Sequence, residues 1–67
     1  MKEIYITIID YPGEKYITDL NIPVNFIPQI GEEIKIWNEG RWRVYQVTEI
    51  SKIINNNSEL ELEIAVM

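Results

Sequence analysis

The chain has 67 residues and a formal charge of −5, from eleven acidic against six basic side chains, with no cysteine and no histidine. That rules out a disulfide staple and a thiolate zinc site, and removes the commonest general base and metal ligand. It also opposes generic binding to a nucleic-acid backbone, which needs clustered Lys and Arg.

A chain this short buries only about 60% of the surface its unfolded form exposes. One domain over residues 1–67 is expected, made durable by tight packing or self-association. No run approaches the ~18 apolar residues of a membrane span. The opening Met1-Lys2-Glu3-Ile4 lacks the apolar block of a signal peptide, so a cytoplasmic protein is expected.

Residues 2–9 alternate strictly, with Ile4, Ile6 and Ile8 on one side and Tyr5, Thr7 and Ile9 on the other. The β-branched content favours a strand over a helix. Asp10-Tyr11-Pro12-Gly13-Glu14 reads as a turn, and Lys15–Asn21 as a returning strand. Pro23 and Pro28 cannot donate to a ladder, so 22–30 reads as an edge or irregular arm. Its Val24, Phe26, Ile27 and Ile30 are expected to lie over one open end like a lid, with Phe26 as a core plug.

The stretch Pro28–Val47 is the centre of the pattern. Gly31 turns the chain into a third strand, Glu33–Trp37, with Ile34 and Ile36 inward and Trp37 outward. Asn38-Glu39-Gly40 is a short hairpin loop with glycine where positive φ is wanted. The fourth strand runs from Arg41 toward Ile54. Its expected inward residues Val44 and Val47 are three apart, so a bulge or bend near Tyr45-Gln46 is expected. Asn55-Asn56-Asn57-Ser58 is a turn. The fifth strand, Glu59–Met67, puts Leu60, Leu62, Ile64 and Val66 inward and Glu59, Glu61 and Glu63 outward.

Five short strands with little or no helical signal point to an all-β fold, a small five-stranded antiparallel barrel. At this length an SH3-like barrel is the expected form, with an OB-like barrel as the alternative. The segment Pro23 to Pro28, Gly31-Glu32-Glu33-Ile34, Asn38-Glu39-Gly40 and Trp42-Arg43-Val44-Tyr45-Gln46-Val47 resembles small SH3-like β-barrel proteins of phages and mobile elements. The resemblance covers about a third of the chain and implies a binding role rather than a chemical one. Some such proteins inhibit host defence, by occupying a defence protein or sequestering a signalling nucleotide. It also implies work in the host cytoplasm. It transfers no functional residue.

From the residues themselves, two contact surfaces are candidates. Trp37, Arg41, Trp42, Arg43 and Tyr45 combine large rigid area with anion-gripping guanidinium groups, the residue types enriched at binding hot spots. The competing reading puts one tryptophan in the core and has the arginines neutralise glutamates. Glu59, Glu61 and Glu63 stand two apart and would form a carboxylate row. That row could dock on a basic groove, or could protect an edge strand from aggregation. Lys52 and Arg43 could pair with it. Adjacent Glu32 and Glu33 point to opposite faces and cannot share a substrate. No catalytic or metal motif is present, so no enzyme activity and no cofactor are expected. The expected partner is a protein or a small nucleotide, with a second copy of the chain as a further candidate. A structural or adaptor module, such as a virion subunit or a peptide binder using Tyr11, Tyr16 and Tyr45, is the alternative function.

Overall fold

A computed structural model describes residues 2–11, 13 and 15–67. The turn expected around Pro12 and Glu14 falls partly outside the described residues. The five strands are β1 (Glu3–Asp10), β2 (Lys15–Pro23), β3 (Glu33–Asn38), β4 (Arg41–Ile54) and β5 (Leu60–Val66). The fold is all-β as expected. The helical content of the described residues is one 3-10 turn, Val24–Phe26. The strands form a single curled sheet, a half-barrel, in the order β2-β1-β5-β4-β3.

Three pairings are antiparallel, but β1 and β5 run parallel. A wholly antiparallel sheet was the expectation, and this pair departs from it. Parallel neighbours need a long crossover. Everything from β2 to β4 serves as that crossover here. The first and last strands therefore become central, and β2 and β3 are the two edges.

The core lies on one face of the sheet. Ile4, Ile6 and Ile8 of β1 meet Leu62, Ile64 and Val66 of β5, with Val47 of β4 beside them. The registers Ile6–Leu62 and Ile8–Ile64 put these side chains directly abreast. Burying each such side chain contributes roughly 1.5–3 kcal/mol. Ile17, Ile22, Ile27, Ile34, Ile36, Tyr45 and Ile50 are half-buried around this centre.

β4 changes partner along its length. Arg41–Gln46 pairs with β3, and Val47–Ile54 pairs with β5. The register shift expected near Tyr45-Gln46 falls between Val47 and Glu49, just downstream. At the change of partner the strand is held on both sides. Gln46 and Met67 exchange both backbone hydrogen bonds at 3.0 Å, and the Val47 N–H donates to the Glu32 carbonyl at 2.9 Å. The bend lays the β3–β4 hairpin over the core, so that Ile34, Ile36 and Tyr45 pack on it.

Two expectations are corrected here. Val44 points outward and is exposed, because the ladder pairs Ile34 with Tyr45 and so turns Tyr45, not Val44, to the core. The 22–30 arm is not the lid. β2 extends through Pro23, which pairs with Glu3, and the 3-10 turn follows at once, with the Val24 N–H donating to the Lys2 carbonyl at 3.1 Å. Phe26 is left 68% exposed, and Val24 and Ile30 are exposed too. Ile27 is the one arm side chain of the four that packs on the core. The hairpin does the covering that the arm was expected to do.

Candidate functional site

The hairpin is built from its turn upward. Glu39 and Gly40 have φ of 55° and 79°, and Asn38 pairs with Arg41 across them. Two consecutive positive-φ residues mark the primed two-residue turn whose twist suits a hairpin. The Val47 N–H to Glu32 carbonyl bond fixes the parity of the ladder. By that parity Trp37 and Trp42 form a non-hydrogen-bonded pair, the kind whose side chains stand closest. Their ring centroids are 5.3 Å apart with planes at 78°, an edge-to-face contact. Trp37 is 58% exposed and Trp42 65%. Val44 and Lys35, the pair two steps down, share this outward face and are exposed as well.

The opposite face carries the two arginines. Arg43 pairs with Ile36, and Tyr45 with Ile34, so Arg41, Arg43 and Tyr45 share the core-side face. Arg43 Nη2 lies 3.5 Å from Glu39 Oε2, and Lys15 Nζ lies 3.6 Å from Glu39 Oε1. This carboxylate therefore links the turn to the start of β2. Arg43 Nε is covered and has no hydrogen-bond partner among the described residues.

The five hairpin residues singled out from the sequence are thus split between two faces. Trp37 and Trp42 stand together on one, with Arg41, Arg43 and Tyr45 on the other. A flat ligand stacked on the tryptophan pair would have the guanidinium groups behind it. Tyr45 packs on the core, while Tyr11 and Tyr16 are exposed, so the three tyrosines do not make one groove.

The carboxylate row is both smaller and larger than expected. Glu59 precedes β5, and only Glu61 and Glu63 are strand residues. β5 is hydrogen-bonded on both sides, so protection of an edge is not the role of these charges. The registers add carboxylates from the neighbouring strands. Thr7 pairs with Asp19 and with Glu63, and Ala65 pairs with Glu49. Glu3, Asp19, Glu49, Glu61 and Glu63 consequently share the solvent face, and no Lys or Arg of β1, β2, β5 or the second half of β4 lies on it. Lys52 pairs with Leu62 and belongs to the opposite face, so it does not neutralise the row. Sequence alternation alone marks which face each carboxylate takes. Their assembly into one surface needs the parallel β1–β5 register, for which no local signal exists.

Hydrogen bonds organise this face. Asn55 Nδ2 donates to Glu61 Oε2 at 2.6 Å, and Asn55 Oδ1 accepts from the Asn57 and Glu59 N–H groups at 2.9 and 3.0 Å. The Tyr5 hydroxyl donates to Asp19 Oδ2. That bond, together with desolvation and the Asp19 charge, raises the Tyr5 pKa above its ordinary value. Tyr16 is raised too, by desolvation first and then by Asp19.

An open cleft of about 1090 Å³ is lined by apolar residues including Ile4, Ile27, Ile50 and Leu62 and by both basic and acidic ones, Lys2 and Lys52 with Glu3, Glu59 and Glu61. Comparison of the chain with protein-family models, curated proteins and solved structures yields no match.

Proposed function

We propose that the chain is a non-enzymatic binding protein acting by occupancy, an inhibitor of a host defence system carried by a phage or mobile element. It would work in the host cytoplasm, seating the Trp37–Trp42 face of its hairpin on a protein. One observation carries this reading: both tryptophans are more than half exposed and touch each other on the side of the hairpin away from the core. Apolar area left in water forgoes about 25 cal/mol per Å². Tryptophan is also the residue type most enriched where a few side chains carry the binding energy. The exposed Val44 extends the patch. Among the described residues no helix is long and apolar enough to cross a membrane.

Occupying a protein is favoured over sequestering a nucleotide by the division of the hairpin. Stacking on the tryptophans and a grip on phosphate by Arg41 and Arg43 would be called for on opposite faces. The test is quantitative capture from host lysate with wild type, Trp37→Ala and Trp42→Ala, each checked for folding by circular dichroism. Calorimetry with cyclic dinucleotides runs alongside. Folded variants that lose the captured protein, and no heat with the nucleotides, are expected. Undiminished capture by both variants would refute the reading.

A second reading, a structural or adaptor module, is favoured by the acidic sheet face. Glu3, Asp19, Glu49, Glu61 and Glu63 would complement a basic surface on an assembly. Glu61→Lys with Glu63→Lys separates the two: loss of partner in this variant but not in Trp42→Ala points to the acidic face.

A further inference from the structure

We propose that β3 is a docking edge for a second copy of this chain, with β3 pairing antiparallel to the partner's β3 about a two-fold axis through Ile34. The inference is independent of which face meets a foreign protein.

Three observations carry it. β3 is an edge of the sheet, hydrogen-bonded to β4 alone. The ladder parity set by the Val47 N–H to Glu32 carbonyl bond turns the backbone groups of Ile34 and Ile36 toward β4. Those of Glu33, Lys35 and Trp37 therefore face outward. The edge holds no proline and no register shift, whereas the other edge, β2, ends in Pro23 and carries a shift opposite Ile8 and Ile9. Long unguarded edges recruit further strands.

Charge then selects the occupant and the register. An antiparallel two-fold pairing must match outward-facing residues with outward-facing residues. With Lys35 opposite itself, two ammonium groups collide, and with Glu33 opposite itself, two carboxylates do. With Ile36 on the axis, Glu33 meets the partner's Glu39. With Ile34 on the axis, Glu33 faces the partner's Lys35 and Lys35 faces the partner's Glu33, both exposed and both able to pair. This register makes about four backbone hydrogen bonds, two at each matched pair. It also brings the two half-buried Ile34 side chains together on the core-side face. A single lysine on an edge ordinarily repels a second copy. Here the glutamate two residues away turns it into a register key.

The test is sedimentation equilibrium over a dilution series. Wild type is expected to rise from the 7.9 kDa monomer toward twice that mass as concentration increases. Glu33→Lys and Lys35→Glu each place like charges at both matched pairs and should stay monomeric at every concentration. The double exchange, Glu33→Lys with Lys35→Glu, restores both pairs and should restore the dimer. Lys35→Pro deletes an outward-facing N–H without removing a β3–β4 bond and should also abolish it. Circular dichroism confirms that each variant is folded. A wild type monomeric throughout the series, single charge reversals that still dimerise, or a double exchange that fails to recover would each overturn the proposal.

Discussion

β3 and β5 are written in nearly the same pattern and end up in opposite circumstances. Each alternates apolar and mostly charged residues, Glu-Ile-Lys-Ile-Trp in one and Leu-Glu-Leu-Glu-Ile in the other. β5 sits between β1 and β4 with both rows of backbone groups engaged, and its Ile64 and Val66 are 0% exposed. β3 sits at the rim, its Ile34 and Ile36 half-buried and its Trp37 in water. Alternation tells which way a side chain faces. It does not tell how many neighbours the strand acquires, and that number decides whether the strand holds the fold or serves contact.

The sharpest way to test the contrast is to truncate one isoleucine in each strand. Ile64→Ala leaves a cavity among Ile8 and its neighbours and should cost about 2–5 kcal/mol, enough to unfold much of a chain this small. Ile36→Ala, half-buried under the hairpin, should cost less than half as much. Urea denaturation of both variants gives the ratio, and equal losses would erase the distinction between the two strands.

The hairpin's own turn should respond next. Gly40 has a φ of +79°, where an L side chain is strained although open space surrounds it. Gly40→Ala should destabilise by about 1–2 kcal/mol and loosen the Trp37–Trp42 contact. Near-ultraviolet circular dichroism, which reports coupled aromatic rings, should weaken while the far-ultraviolet strand signal persists. Trp42→Ala should move the melting midpoint modestly, since an edge-to-face pair is worth about 0.5–1.5 kcal/mol. A collapse of the fold in this variant would make the tryptophan part of the core.

Smaller effects separate the acidic face from the turn. Tyr5 and Tyr16 hold their protons more tightly in the folded chain than in the unfolded one. Their contribution is therefore fully present below the ordinary tyrosine value of about 10 and is lost as pH rises through the raised values. Tyr5→Phe should flatten the alkaline fall in melting temperature. Glu39→Gln breaks both of its ion pairs, to Lys15 and Arg43. Lys15 and Glu39 are more than half exposed and Arg43 is 33% exposed, so the loss should be within about 1 kcal/mol and should shrink further in salt.

Much of the local structure was legible. The inward sets Ile4-Ile6-Ile8, Ile34-Ile36 and Leu62-Ile64-Val66, the Glu39-Gly40 turn and the Asn55 loop all follow from period and turn chemistry. The misreadings at Val44, Phe26 and Glu59 share one cause. Each depended on what lies across the sheet, and pairing partners far apart in sequence leave no mark on either strand. A break of parity in β4 was expected from Val44 and Val47, but Val44 faces outward, and the break falls instead between Val47 and Ile50, which both turn to the core. Alternation likewise puts Trp37 on the outward side of Ile36, but it leaves Trp42 open between core and contact, and the places of Trp42 and the arginines required the registers Trp37–Trp42 and Ile36–Arg43.

The parallel junction of β1 with β5 has a kinetic corollary. The strand that completes the middle of the sheet comes after the other four in the chain, and its parallel neighbour comes before them. Until Leu60–Val66 docks, β1 has β2 alone as a backbone partner, and Ile4, Ile6 and Ile8 face no counterpart. Such distant pairing places folding in the slow, millisecond-to-second range of small β proteins.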